Sequence, residues 1–519
     1  MLVPDGTIAQ EWYWLVPGGS VARDRTHVHV AIVGAGFGGL AAAIRLKQAG
    51  IDDLLVFERA ADIGGTWRDN SYPGCACDVP SHLYSYSFAP NPGWSRSFST
   101  QPEIWAYLRA CARRFGIQPH LRLGHELRRA SWDDELQQWR VETSGGTWTA
   151  AFLVTATGPL SEPRIPALPG LDGFEGAVFH TARWEHDHDL TGRQVAVVGT
   201  GASAIQVVPA IQPRVGRLHV FQRTAPWVLP RHDRALTRIE RWLFRTAPAS
   251  QRLARASIYW LRESWTLGFL HPRLMRLPRW AALRHLRAAV ADPELRARLT
   301  PDYTLGCKRV LLSNDYLPTL AKPNVEVITA GIREVREHGI VTDNGVEHPV
   351  DTLIFGTGFQ VSDPPVSHMI RGRDGRTLAE VWGGSPRAFL GTCVAGFPNL
   401  FLLLGPNTGV ASTSVVLMVE AQVEYLLGVL AFLRTAGMAA VEPRPEAEQA
   451  YLAEVETRMR PTVWASGGCR SWYADPTGRI SAIWPGLTVA YRRRLRAFDP
   501  DLHHLTRPRR RAPSPVATS

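Results

Sequence analysis

Lysine is almost missing from this chain. Three stand among 519 residues, at Lys47, Lys308 and Lys322, and arginine carries nearly all the positive charge. A net charge of +11 would suit nucleic acid or an anionic membrane. No nucleic-acid motif is present, however, and a field steering an anionic cofactor is the simpler account. Cysteine is sparse too: six scattered residues do not make the dense framework of a small secreted domain, which points to a reducing, cytoplasmic location. Cys75 and Cys77 have no second pair, so packing is expected there, and no metal is expected in the chain. Uninterrupted apolar runs of roughly 18 residues or more are missing, so no membrane span is expected. The longest apolar segment, Val415 to Leu433, carries Glu420 and Glu424 and reads as a mostly buried helix. Met1 to Asp24 lacks the basic start and apolar run of a secretory leader and reads as a loose arm whose Trp12, Tyr13 and Trp14 could pack on the body.

What is present is ordinary globular material, 45% apolar and 20% charged, long enough for several domains. Its clearest signal starts at His27. A β-branched run ends at Gly34, Gly36 and Gly39 follow at G-x-G-x-x-G spacing, and a helical pattern from Leu40 to Gln48 begins at once. Strand, glycine turn and helix in that order are the context in which the motif means dinucleotide binding. Gly34 allows the turn, Gly36 lets the backbone approach a pyrophosphate, and Gly39 lets helix pack on strand. The helix N-terminus offers unpaired N–H groups to the phosphates. Roughly 20 residues on, the strand Leu54 to Phe57 ends in Glu58, the place of an acid that bonds a ribose hydroxyl.

The pattern returns at Gln194. Gly199-Thr-Gly201-Ala-Ser203-Ala204 has the same spacing with alanine in the third place, followed by a helix to Ile211 and a strand from Arg217 to Gln222. The repeat predicts an α/β fold with two Rossmann-like domains. The second strand ends in Gln222-Arg223-Thr224. A carboxylate there would repel a 2′-phosphate, whereas arginine accepts it, so the second nucleotide reads as NADP. Between and after these units come loops at Gly64–Trp67 and Ser71–Asp78 and an aromatic-serine run, Tyr84 to Phe88. Pro102 to Phe115 has helical spacing, Arg128–Glu142 and Thr147–Thr155 read as hairpin strands, and Pro159–Pro169 is a proline-rich linker. Arg231 to Leu299 reads as an arginine-rich helical insertion, a solvated lid rather than a membrane contact. Asn324–Val350 reads as short strands with a turn at Asp343 to Gly345. Asp351–Phe359 returns to the pattern of Thr155–Gly158, marking crossings between domains. Phe397–Gly405 is a buried strand, Gly405-Pro-Asn407-Thr408 opens a helix at Ser412 that offers N–H groups to a ligand, and Trp464–Trp484 covers a pocket.

With these motifs in place, Phe174-Glu-Gly176-Ala-Val-Phe-His180-Thr-Ala-Arg-Trp184-Glu185 resembles the fingerprint F-x-G-x-x-x-H-x-x-x-W-(P/D) of the type I Baeyer–Villiger monooxygenases, class B flavoprotein monooxygenases. It departs only at Glu185. Gly64–Trp67, Tyr72–Gly74, Cys77-Asp78, Gln222–Thr224, Lys308-Arg309, Gly356–Phe359 and Gly405–Thr408 also resemble the family, which covers residues 27 to 490. The resemblance implies FAD on the first unit and NADPH on the second, in three-layer ββα domains, the FAD domain discontinuous. The expected division is an N-terminal arm (1–26), the first part of the FAD domain (27–160), the NADP domain (161–350) with its helical insertion (231–299), the second part of the FAD domain with the pocket cover (351–505), and a disordered tail (506–519).

What the resemblance implies for chemistry is conversion of a ketone to an ester or lactone by O2 through a C4a-peroxyflavin. The cofactor carries the hard step. Arg309 matches the active-site arginine that keeps the peroxide anionic, and Asp78 matches the carboxylate that positions it. The expected cofactor-binding residues are Gly34, Gly36, Gly39, Glu58, Gly65, Thr66, Trp67, Asp78 and Tyr84, then Gly199, Gly201, Ser203, Arg223, Thr224 and Lys308, and finally Asn407 and Thr408. Gly176, His180 and Trp184 read as a hinge between domains, and Trp472 as a mobile-loop residue closing on NADP. The expected partners are a small-molecule ketone and O2, with no oligomeric state assigned. One rival is a flavin-containing monooxygenase oxygenating amines or sulfides, against which Arg309 and Trp184 speak. A second is a disulfide reductase, for which Cys75-Ala-Cys77 has the wrong spacing. A third is a non-catalytic nucleotide-binding redox module, against which the retained Asp78 and Arg309 speak.

Overall fold

The computed structural model describes residues 26–509, so the expected N-terminal arm, apart from Thr26, and the end of the tail lie outside the described residues. Strand β1 (His27–Val33) is followed by helix α1 (Phe37–Gln48) and strand β2 (Leu54–Glu58). Branched apolar residues suit a strand buried on both faces. Val30 and Ile32 face the core beneath α1, while Ala31 and Val33 face a second core under Trp132 and Trp139. β1 lies parallel to β2 on one side and to β3 (Gly146–Thr155) on the other, with Val33 level with Phe57 and Thr155. Leu127–Asp133, Gln138–Thr143 and β3 form an antiparallel meander. Helix layer, parallel strands and meander are the three layers.

The second unit is an all-parallel sheet. Strands β4 (Ala177–His180) and β5 (Gln194–Val198) are followed by helix α2 (Ala204–Ile211) and strand β6 (Arg217–Phe221). Three long helices then interrupt it: α3 (Arg238–Thr246), α4 (Pro248–Leu270) and α5 (Arg276–Ala289). Strand β7 (Thr352–Phe355) closes the sheet in the order Val325–Ile328, β6, β5, β7, β4. β7 pairs with both β5 and β4 and every one of its residues is buried. The expected boundary at 350 is therefore corrected: the second unit runs through Phe355. Ile370–Arg371 then pairs with Ala130–Ser131, and Leu400–Leu402 with β3, so two separate stretches of chain build the first domain.

Helix α6 (Val415–Ala436) is long and apolar enough to cross a membrane, but its Val416, Val419, Val423 and Leu426 lie in the core with α1. It begins at Val415, where the apolar segment starts, and is capped by Ser414, whose hydroxyl accepts from Val416 N–H. The expected start of disorder at 506 is also corrected. Thr506 pairs with Ala440, and Arg509 donates to Asp134 at 2.8 Å.

Candidate active site

Each of the two units opens on a glycine turn. Gly34 leaves β1 at φ +101°, and a Cβ there would lie 2.6 Å from the Ala156 carbonyl oxygen. A Cβ on Gly39 would lie 1.8 Å from the Gly34 oxygen, so α1 can start against β1 only as glycine. Gly36, the N-cap of α1, has only the Gly65 backbone near it, at 3.7 Å. Glu58 first holds its own loops: Oε2 accepts from Ala35 N–H at 2.9 Å, and Oε1 accepts from Ala60 N–H and the Arg68 guanidinium at 3.0 Å each. Gly65 and Thr66 open the short helix that carries Trp67, whose indole donates to the Tyr84 hydroxyl at 3.0 Å.

In the second turn, Gly199 has φ +118° and no room for a Cβ against the Gly356 oxygen, while Gly201 faces open space. Ser203, the N-cap of α2, makes no capping bond. Thr200 donates to the Thr224 carbonyl at 3.2 Å, fixing the loop that bears the exposed Arg223. Lys308 lies 4.8 Å above the Tyr303 ring. Burial, then the charge of Arg223, push its ammonium below the usual lysine value, with Asp302 offsetting part. Two cations held near each other mark a place for an anion.

An ion pair joins Asp78, in a loop of the first unit, to Arg309, beyond the helical insertion. Arg309 Nε donates to Asp78 Oδ2 at 2.7 Å and Nη2 to Oδ1 at 2.8 Å. This bidentate pairing fixes the guanidinium plane through one edge of its fork. About a quarter of each side chain, 28% and 24%, stays open, so the pair can meet a ligand. Burial alone would raise the Asp78 carboxyl. The charge and hydrogen bonds of Arg309, with Arg262 and Arg231, push it lower still, below its ordinary value. Arg309 is raised, chiefly by Asp78 against the cost of burial, and stays cationic at any working pH. Sequence reasoning missed three neighbours. Arg231 donates to the Cys77 carbonyl at 3.0 Å, Arg262 feels both Asp78 and Arg309, and the buried Tyr473 faces Arg309. Tyr473 adjoins the expected Trp472, which is 44% exposed with its ring 4.5 Å from that of Tyr473. The disulfide Cys307–Cys469 joins the segment just before Arg309 to the segment carrying Trp472.

Asn407 donates to the Ile480 and Ile483 carbonyls at 2.8 and 3.0 Å and accepts from Arg479, and Thr408 donates to the Gly405 carbonyl at 2.6 Å. Their side chains tie the pocket cover to its base. In the fingerprint stretch, a Cβ on Gly176 would meet the Asp351 oxygen at 2.3 Å. Trp184 packs edge-on to Phe179, and His180 to Phe359. His180 Nδ1 accepts from Ala182 N–H at 3.0 Å, and burial lowers its pKa to about 4. The unfolded chain therefore binds a proton between about pH 6.5 and 4 that the folded chain refuses, and stability falls as pH drops through that window. His180→Gln should show a shallower fall of Tm between pH 7 and 4 than the native protein; parallel curves would remove His180 from the acid response.

Cys75 and Cys77 are free and buried, and burial pushes the Cys75 thiol up to about 12 and the Cys77 thiol higher still, which makes neither a redox thiolate. Among the described residues one trio could approach a metal, His219, Glu326 and His348, with ligand atoms within 4.8 Å of one another. Glu326 is already shared by Arg217 at 3.0 Å and His219 at 3.2 Å.

A family model described as Pyridine nucleotide-disulphide oxidoreductase matches residues 31–243. A Baeyer-Villiger monooxygenase of Streptomyces coelicolor is 52% identical over 93% of both chains, and one of Pseudomonas aeruginosa is 48% identical over 92% of both. The chain belongs to the Baeyer–Villiger monooxygenases. The solved complex of OTEMO with FAD and NADP superposes at a TM-score of 0.83 and 27% identity, covering 92% of this chain and 99% of that one. The disulphide-oxidoreductase match reaches only the nucleotide-binding half, and the buried thiols of Cys75 and Cys77 carry none of that chemistry.

Proposed function

We propose that this flavoprotein monooxygenase converts a ketone to an ester or lactone with FAD, NADPH and O2, and that Arg309 held by Asp78 is its catalytic centre. The observation that carries this is the bidentate, part-open ion pair of Arg309 and Asp78. The residues fit both cofactors. The first turn accepts a pyrophosphate because no side chain stands at Gly36, with Trp67, Tyr84 and Glu58 at its rim. The second does so at Gly201 and the start of α2, and the neighbouring charges of Arg223 and Lys308 support a 2′-phosphate beside Thr224. Bound together, the cofactors supply electrons and an activated oxygen atom.

The rest is the protein's own work. A carbonyl carbon is electrophilic, so the pocket must favour an anionic oxygen nucleophile over its protonated form. A preorganised cation that cannot lose its proton does this. Asp78 prevents the guanidinium from swinging away, and Tyr473 closes the far side from water. An amine- or sulfide-oxygenating enzyme needs the opposite, a protonated oxygen donor, which this cation disfavours. Turnover of the yellow protein with NADPH and a panel of ketones and sulfides, read by O2 uptake and product mass, tests the reading. Esters one oxygen heavier than the ketone are expected; sulfoxides alone would reverse the assignment. Gly39→Ala is expected to yield protein without bound flavin, or none in soluble form, seen as loss of the yellow absorbance. Retention of full flavin would mean that α1 tolerates a side chain against Gly34.

A further inference from the structure

Helices α3 to α5 expose what the rest of the protein hides. Eighteen large apolar side chains stand exposed among the described residues, and eleven of them lie between Ile239 and Trp280. On α4, Leu253, Trp260, Leu261 and Trp265 recur at helical spacing and make one stripe, with Leu253, Trp260 and Leu261 69%, 58% and 63% exposed. Ile239 and Trp242 on the adjoining α3, and Leu274, Leu277 and Trp280 leading into and along α5, add to it. Monomeric soluble proteins seldom present so much contiguous apolar surface without a use for it.

The charge around this surface has one sign. Eleven arginines and two glutamates lie between Arg238 and Arg287. Both glutamates are spent: Glu240 on Arg234 and Thr237, and Glu263, buried, on the Val489 amide and Tyr259. Arg245, Arg252, Arg273, Arg276 and Arg279 stand exposed. A second copy of the chain would set arginine against arginine. Tryptophan and leucine buried below a rim of arginines are instead the composition of helices that lie in a membrane interface. The inner face of α4 packs toward the site: the charge of Arg262 acts on Asp78, Gln251 bonds His82 and the Asn91 carbonyl, and Thr266 bonds Ser412.

We propose that the outer face of α3–α5 docks on an anionic lipid bilayer, and, resting on the ketone-oxidising reading above, that a lipophilic ketone enters from that bilayer beneath α4. Such a contact is peripheral, with no helix crossing, and would stand in place of the solvated lid expected from the sequence.

Flavin-loaded protein is sedimented with vesicles of phosphatidylcholine alone, or of phosphatidylcholine with phosphatidylglycerol, while light scattering records its mass without lipid. The native protein should co-sediment with the anionic vesicles and be released by salt. The Leu253→Ser/Trp260→Ser/Leu261→Ser variant should bind at least about tenfold more weakly, with unchanged flavin content and unchanged turnover of a water-soluble ketone. Absence of binding to anionic vesicles, equal binding by the triple variant, or a native dimer that the triple variant splits without any lipid binding would each overturn the proposal. Vesicle binding without any ester product would sustain the docking surface and remove only the ketone-oxidising reading.

Discussion

Arg309→Ala is expected to lose ester formation by about a hundredfold or more, the loss seen when one preorganised charge-stabilising donor is removed from a water-excluded site. NADPH should still be consumed, with hydrogen peroxide accumulating in place of ester, because the nucleotide turns do not depend on this side chain. Anaerobic mixing should show flavin reduction near the native rate, and product analysis should show the deficit. Arg309→Lys should restore little. A lysine keeps the charge, but one ammonium cannot reproduce the planar edge that Asp78 engages through Nε and Nη2. Asp78→Ala should also lose activity, and stability with it, since a part-buried guanidinium is left without its partner. A native rate of ester formation in Arg309→Ala would place the chemistry elsewhere.

Much of this arrangement was legible because local rules and tertiary structure agree. Glycine spacing after a branched strand has one steric explanation, and the structure supplies it at Gly34, Gly39 and Gly199, where a Cβ would strike a carbonyl oxygen. The return of the chain to the first sheet was legible in the likeness of Asp351–Phe359 to Thr155–Gly158, although β7 itself stays with the second sheet. What was not legible depends on long-range placement. Arg231 and Arg262 are two arginines in an arginine-rich stretch, and nothing local says that they face Asp78. Cys307 and Cys469 are 162 residues apart, and spacing alone does not give pairing. The insertion read as a solvated lid because helical periodicity shows that a helix has an apolar stripe. It cannot show that α4 keeps a second apolar stripe outward.

Arg223→Ala is expected to raise KM for NADPH on the order of tenfold to a hundredfold, the range for loss of a charge-assisted hydrogen bond to a phosphate. KM for NADH should barely move. Arg223 stands open to solvent, where an ion pair between mobile side chains contributes little. Here, however, a second cation, Lys308, is held nearby against Tyr303 and feels the repulsion of Arg223 together with the cost of burial. A 2′-phosphate relieves that repulsion, and NADH, which lacks it, does not. Lys308→Ala should therefore weaken NADPH in the same direction, and the double variant should lose less than the sum of the two single losses, because each single change already removes the mutual repulsion. Steady-state kinetics with both nucleotides decide this. Equal rises in KM for NADPH and NADH would mean that Arg223 shapes the loop after β6 and does not read the phosphate.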